Sequence, residues 1–306
     1  MLHEIVKLNH VAMRNLYLIA IVLFMFSACN TGKKMKVEKN TITVSILPQK
    51  YFVEQIAGEA YPINVMLPPG SNPDDYEPTT RQVQDLNNSA FYFYVGHLGF
   101  EKSWMTKFNN AVKDVDYISC SSGIDLLRGD EDDHAELTDE VHKHGTDPHI
   151  WTSPENVKTI SRTIASALSK KYPGKAAEFE ANLRTFISRI DMLDNSIRTE
   201  LTDTVRSAFM IFHPALGYYA RDYHLKQYSI EYEGKSPSTA HMKKMVDLAK
   251  TEKINTIFIQ TQFETAKAEA IAKEIGADVV VVDNLAEDWL AEMYSLTKKM
   301  KTALSN

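Results

Sequence analysis

From residue 41 onward, short runs of apolar and β-branched residues alternate with stretches whose apolar residues recur at helical spacing. This alternation is typical of β-α-β units and predicts parallel sheets. The strand candidates are TVSIL (43–47), INVML (63–67), FYFYV (91–95), DYIS (116–119), AFMIF (208–212), KQYSI (226–230), TIFIQ (256–260) and DVVVVD (278–283). Four candidates in each half of the chain predict an α/β protein of two similar lobes, each with a four-stranded parallel sheet.

The segment between the two sets of strands, residues 153–203, carries no strand pattern. A helix is predicted to begin at Ser153-Pro154, because serine is a good N-cap and proline is tolerated at the first helical position. After a break at Tyr172-Pro173-Gly174, a second helix is predicted from about Lys175 to Leu201. At 1.5 Å per residue it would be roughly 40 Å long, which is enough to connect the lobes. The alternative is an ordinary long amphipathic helix within one domain.

The N-terminal pattern predicts export. Arg14 is followed by an unbroken apolar run, Leu16 to Phe26, and then by Ser27-Ala28-Cys29. This run is too short to span a bilayer but fits the apolar region of a signal peptide. Phe-Ser-Ala-Cys also resembles a bacterial lipobox, in which the cysteine, here Cys29, is lipidated. Met13 is an alternative start to Met1.

These patterns divide the chain into five parts. We predict a signal peptide (1–28), a polar lipid tether (29–40), an N-terminal lobe (41–172), a connecting helix (173–203) and a C-terminal lobe (204–306). Besides Cys29, the sequence has one further cysteine, Cys120. A single unmodified thiol cannot form an intramolecular disulfide, so the fold must depend on its core.

Charge and motifs exclude several classes of function. The formal net charge of −6 argues against a nucleic-acid-binding protein, which needs a basic face. There is no HExxH helix, no Gly-x-Ser-x-Gly and no glycine-rich phosphate loop, so a zinc hydrolase is disfavoured.

Candidate metal ligands follow the predicted strands, where parallel sheets bind their ligands. They are the acids of the loop after INVML (Asp74, Asp75 and Glu77), His213 after AFMIF, Asp283 at the end of DVVVVD, and His149 in the segment Asp-Pro-His-Ile-Trp. Each of them could have a structural role instead, such as capping a helix, forming a turn or packing in the core. Their shared position favours one site between the lobes, and imidazole with carboxylate suits zinc.

A second group of histidines lies in a segment without apolar periodicity, residues 130–145. It combines the acidic run Asp130-Glu131-Asp132-Asp133 with His134, His142 and His144. Such a composition predicts a solvated loop. We hypothesise that the loop is an auxiliary site that collects metal weakly, with His149 at its base as a fixed ligand of the main site.

The sequence resembles the metal-binding lipoproteins of ABC transporters, in the branch that takes up zinc or manganese. The motifs that carry the resemblance are Pro68-Pro69-Gly70, Tyr76-Glu77-Pro78, Asp147-Pro148-His149-Ile150-Trp151, Phe212-His213-Pro214-Ala215-Leu216-Gly217-Tyr218, Gly234-Lys235-Ser236-Pro237-Ser238 and Asp283-Asn284-Leu285. The resemblance implies two β/α lobes joined by one long rigid helix, with the metal between them. It also implies a lipid-anchored monomer on the periplasmic or cell-surface side, which delivers metal to a permease energised by a separate ATPase.

The first loop departs from the family pattern, which usually has Pro-His before Tyr-Glu-Pro. Here Asp74 occupies that position, so the implied ligand set is Asp74, His149, His213 and Asp283, and Asp75 or Glu77 could take the place of Asp74. The oxygen ligands favour Mn²⁺ or Fe²⁺, whereas the histidine-rich loop is typical of the zinc branch, and we therefore expect Zn²⁺. The alternatives are a manganese or iron receptor, a weakly binding paralogue, or a surface adhesin lipoprotein.

Overall fold

The computed structural model describes residues 39–128, 145–231, 238–263 and 265–305. The first sheet contains strands β1 (Thr41–Val44), β2 (Ile63–Val65), β3 (Ser89–Tyr94) and β4 (Asp116–Ser119). All neighbours in it are parallel, in the order β2-β1-β3-β4. The crossovers between these strands are helices α1 (Leu47–Ala57), α2 (Thr80–Asn87) and α3 (Gly99–Ala111).

The prediction of a strand at 43–47 was wrong at both ends. Strand β1 begins at Thr41 and ends at Val44, and helix α1 already begins at Leu47. Pro48 lies in the first turn of this helix, where its fixed φ is favourable and its missing N–H costs no intrahelical hydrogen bond. The alternation of apolar residues alone does not reveal that the backbone changes from strand to helix between Val44 and Leu47.

The second sheet repeats the arrangement of the first. Its strands are β5 (Ala208–Ile211), β6 (Lys226–Ser229), β7 (Thr256–Gln260) and β8 (Asp278–Val282), all parallel in the order β6-β5-β7-β8. The helices between these strands are α6 (Gly217–Asp222), α7 (Thr239–Thr251) and α8 (Thr265–Ile275), and α9 (Trp289–Ser305) follows the last strand. Helices α4 and α5 precede strand β5. This confirms an α/β fold with two four-stranded parallel sheets.

Two helices lie between the sheets in sequence, α4 (Pro154–Lys171) and α5 (Ala176–Leu201). The hydroxyl of Ser153 accepts a hydrogen bond of 3.1 Å from the backbone N–H of Asn156, so Ser153 is the predicted N-cap of α4. Helix α5 is the long helix that the sequence predicts, and it packs against α1, α4 and α9. Its buried side chains lie at helical spacing: Phe179, Leu183, Phe186, Ile190, Leu193 and Ile197.

One hydrophobic core extends through both lobes. The ring of Phe52 on α1 lies 5.2 Å from that of Trp289 on α9, centroid to centroid, and both are buried. Phe186 of α5 contacts both rings, at 6.1 and 6.5 Å. A separate cluster covers the other face of the second sheet and includes Met210 and Ile257. The two lobes therefore share one apolar interior.

Among the described residues, every helix is too short or too polar to cross a bilayer.

Candidate metal centre

The rings of His149 and His213 lie next to each other, with centroids 5.2 Å apart and planes at 76°. His149 lies just before a 3-10 turn, Ile150–Thr152, that leads into α4. His213 follows strand β5 after Phe212. The structure therefore brings together two of the four predicted ligands, one from each half of the chain.

His149 is held by the carboxylate of Asp147. Its backbone N–H and its ring Nδ1 each lie 2.8 Å from Asp147 Oδ1. An ionised carboxylate can only accept hydrogen bonds, so Nδ1 is the donor, and a neutral ring then carries its lone pair on Nε2. Both residues are buried, with 5% of His149 and 9% of Asp147 exposed, so the ring has little freedom to turn.

Asp147 is in turn fixed by residues far away in sequence. Its backbone N–H donates to the carbonyl of Leu127 at 2.9 Å, and its own carbonyl accepts from the hydroxyl of Tyr218 at 2.9 Å. A Cβ placed on Gly217 would lie 2.6 Å from Asp147 Oδ2. A side chain at position 217 would therefore have to displace the carboxylate of Asp147.

His213 has the same kind of support from the second lobe. Its Nδ1 lies 2.5 Å from Oε2 of Glu231, a buried residue that follows strand β6. The carbonyl of His213 accepts a hydrogen bond of 2.6 Å from Nε2 of Gln260 at the end of β7. The ring also stacks on Phe263, with centroids 5.2 Å apart. A neutral His213 ring with Nδ1 as the donor likewise carries its lone pair on Nε2.

Asp283 follows β8 directly, as the sequence predicts. Its Oδ1 accepts hydrogen bonds from the backbone N–H of Leu285 at 3.1 Å and from the hydroxyl of Thr261 at 3.2 Å. It lines a small cavity together with Trp151 and Leu216. The carboxylate is therefore held in a turn close to the segment that carries His149.

The loop of Asp74 lies beside the N-terminus of α3. Asp74, Asp75 and Glu77 are all exposed. The backbone N–H of Phe100 donates to the carbonyl of Pro73 at 3.0 Å, and a Cβ on Gly99 would collide with the backbone of Asp74. The backbone of the loop is therefore fixed, whereas its acidic side chains face solvent.

In the part of the chain that the structure describes, no group of three or more His, Cys, Asp or Glu side chains lies close enough to hold a metal ion. His134, His142, His144 and Cys29 lie outside the described residues. The histidine pair is therefore the part of the predicted site that the structure brings together, and Asp74 and Asp283 do not join it as a compact group.

Asp147 and Glu231 were not among the residues predicted to act at the site, although they are the partners of the two histidines. Glu231 comes directly after the predicted strand 226–230, so the rule that found Asp283 would also have found it. Asp147 is two residues before His149 in the quoted motif. Such carboxylates orient ligating imidazoles and raise their basicity.

Comparison with known proteins shows which family the chain belongs to. The family model of the periplasmic component A of zinc-uptake complexes, ZnuA, matches residues 42–303. The chain belongs to this zinc-uptake family. Membership confirms the expected kind of protein, an exported binding component of a metal transporter rather than an enzyme.

Individual members of the zinc-uptake family match nearly the whole chain. A crystal structure of ZnuA superposes with a TM-score of 0.80 at 36% identity, covering 88% of this chain and 100% of that one. The high-affinity zinc uptake system protein ZnuA of Bacillus subtilis (strain 168) is 26% identical over 281 residues, which cover 88% of each protein.

A longer protein and a structure of lower identity also match. The zinc-binding lipoprotein AdcA of Streptococcus pneumoniae serotype 4 is 28% identical over 280 residues, which cover 89% of this chain and 55% of AdcA. This chain thus spans about half the length of AdcA. The laminin-binding protein Lmb of Streptococcus agalactiae superposes with a TM-score of 0.77 at 20% identity, covering 87% of this chain and 100% of that one, a likeness that shows the fold alone.

Proposed function

We propose that this protein captures Zn²⁺ where its two lobes meet and delivers it to a membrane permease energised by a separate ATPase. The observation that carries the proposal is the pair of His149 and His213, whose rings lie 5.2 Å apart. Each ring has a carboxylate at Nδ1 and a lone pair at Nε2. Two such nitrogens are suited to a zinc ion, which binds imidazole at about 2.0–2.1 Å.

The remaining ligands are proposed to come from both lobes. Asp283 is the oxygen ligand of the second lobe, and the first lobe contributes one further donor, for which Asp74 is the candidate from sequence. Four protein ligands close the tetrahedral shell of zinc and leave no open position for a substrate water. Such a site binds and releases an ion and does not catalyse a reaction.

The N-terminal segment is proposed to anchor the protein. Lipidation of Cys29 would attach the mature chain to the membrane, with residues 29–40 as a tether and the folded part acting as a monomer beside the permease. The lipobox-like Phe-Ser-Ala-Cys supports this. The segment that contains His134, His142 and His144 is proposed to collect zinc weakly, because neighbouring acids attract divalent cations.

A competitive titration of the metal-stripped protein with zinc and with manganese tests the function. We expect one tight zinc equivalent, further weak sites, and manganese bound much less tightly. His149→Ala and His213→Ala should each weaken tight zinc binding strongly. If manganese or iron binds as tightly as zinc, the protein is a receptor for that metal instead. If no metal binds tightly, the proposal of metal capture is refuted.

A further inference from the structure

His97 lies at the carboxyl end of the first sheet and has no role in the site as described so far. It belongs to the loop Val95–Leu98, between strand β3 and helix α3. Strand β3 is central, with β1 on one side and β4 on the other. This position is where parallel α/β sheets bind their ligands.

A buried carboxylate fixes the loop that carries His97. Glu101, which is 1% exposed, accepts hydrogen bonds from the backbone N–H groups of Val95 at 2.8 Å, Gly96 at 2.6 Å and Leu98 at 3.4 Å. Gly96 has a φ of 112°, a backbone conformation that residues other than glycine rarely adopt. The backbone on both sides of His97 is thus held in one conformation.

The same loop adjoins the other first-lobe elements of the site. Gly99, two residues after His97, contacts the backbone of Asp74. Lys102 acts electrostatically on the His97 ring, and its Nζ lies 3.6 Å from where a Cβ on Gly145 would be. Gly145 begins the described segment that contains His149. The loop of His97 therefore adjoins the loop of Asp74, and Lys102 of the helix that follows lies near the start of the segment that carries His149.

The ring of His97 is chemically ready to bind a metal. It is half-buried, and within the described residues no hydrogen bond or ion pair involves it. Burial lowers its pKa, and the charge of Lys102 lowers it further. A half-buried imidazole that no described side chain pairs with differs from Asp74, Asp75 and Glu77, which are exposed to solvent.

We propose that His97, and not Asp74, is the first-lobe ligand of the bound metal. This inference rests on the proposed function and completes its ligand set as His97, His149, His213 and Asp283. Among the described residues these side chains do not form a compact group, so zinc would draw them together on binding. Three imidazoles and one carboxylate form a set that zinc prefers over manganese, which favours oxygen ligands. The imidazole that the first loop lacks at Asp74 would thus be supplied by the neighbouring loop.

The test is to count the histidine rings that bind zinc. Ring nitrogens of ¹⁵N-labelled protein are followed by long-range correlation spectra before and after one equivalent of zinc. We expect the assigned signals of His97 to shift together with those of His149 and His213. This measurement uses the wild-type protein and does not depend on the folding of any variant.

Affinities of variants test the same point independently. His97→Gln should weaken zinc binding by about 100-fold or more, because loss of partners that only support a ligand already costs ten- to hundredfold. Asp74→Asn should change it by less than about threefold. The matched control is His224→Asn, since His224 is exposed at the opposite edge of the second sheet, before β6, and asparagine tolerates its φ of 56°.

A second variant asks whether the two loops serve one coordination position. In the His97→Gln background, Asp74→His should recover at least about tenfold of the lost zinc affinity, because the loop of Asp74 touches the helix start beside His97. No recovery would count against a shared position.

The outcomes separate this inference from the proposed function. Tight zinc binding with unshifted His97 signals and an unchanged His97→Gln variant would overturn the inference and leave the zinc receptor intact. A wild-type protein without tight zinc binding would overturn the proposed function itself.

Discussion

The indole Nε1 of Trp151 donates a hydrogen bond of 2.6 Å to the carbonyl oxygen of Asn284. Trp151 follows His149 by two residues, and Asn284 comes directly after Asp283. One side chain therefore links the segment of an imidazole ligand to the turn of the proposed carboxylate ligand. The carbonyl of Trp151 also accepts a hydrogen bond of 2.8 Å from the indole of Trp289, which ties this link to helix α9.

Trp151→Phe keeps an aromatic ring but removes the N–H group. We expect the free energy of unfolding to fall by about 1 kcal/mol for the hydrogen bond, with a further loss for the smaller ring. Zinc affinity should fall by about tenfold, because the turn of Asp283 loses its link to the segment of His149. Urea unfolding and zinc competition measure the two effects. Unchanged affinity would show that the link serves stability alone.

Glu231→Gln tests the support of His213. The amide oxygen can still accept from Nδ1, but it lacks the charge that strengthens the ligand, so zinc affinity should fall by about ten- to hundredfold. Glu252→Gln is the matched control, since Glu252 contacts the hydroxyl of Tyr228 at the far end of α7. Equal zinc affinities of the two variants would show that Glu231 does not support zinc binding by His213.

Gly217→Ala tests the close approach of α6 to Asp147. The new Cβ would lie 2.6 Å from Oδ2, so the carboxylate must shift and its bonds to His149 weaken. We expect zinc affinity to fall by about tenfold or more, measured by competition with a chelator. Gly174→Ala is the control, because a Cβ there meets nothing within 4 Å. Similar losses in both variants would point to a general effect of alanine.

Acid should weaken zinc binding. Only a neutral imidazole binds a metal, so protons compete with zinc, and affinity should drop steeply between about pH 7 and pH 5, where histidines titrate. Since burial lowers the pKa of His97, protons compete with zinc for its ring only at a lower pH than for an ordinary histidine. His97→Gln should therefore flatten the acid end of the profile. Affinity independent of pH would exclude imidazoles as ligands.

Cys120 should be inert in the folded protein. Burial raises the pKa of its thiol to about 12, so at pH 8 only about one thiol in ten thousand is ionised, and the thiolate is the reactive form. Iodoacetamide should leave Cys120 unmodified in native protein and modify it after denaturation, as followed by peptide mass spectrometry. Rapid native modification would show that the first lobe opens readily.

The positions of the candidate ligands could largely be predicted from the sequence, because His213 and Asp283 follow apolar runs that became strands β5 and β8. The partners of these ligands could not. Glu231 lies 18 residues from His213, and its contact depends on the pairing of β5 with β6. Gly217 meets Asp147 only after both halves of the chain have folded, and no local pattern encodes that distance.

His97 shows a different limit of sequence reasoning. It follows the predicted strand 91–95 after a single glycine, so its position already satisfied the rule used for the other ligands. What the sequence did not reveal is the buried Glu101, which binds the backbone of this loop. That carboxylate distinguishes a fixed loop from an ordinary turn.

The contact between Phe52 and Trp289 has a consequence for the release of the ion. These rings belong to one apolar interior shared by both lobes, so swinging the lobes apart would expose it to water at about 25 cal/mol per Å². Zinc exchange is therefore expected to proceed by fluctuation of the loops around a nearly rigid body. The dwell time of the ion then becomes a local property, which evolution can adjust by exchanging loop residues while the shared interior stays the same.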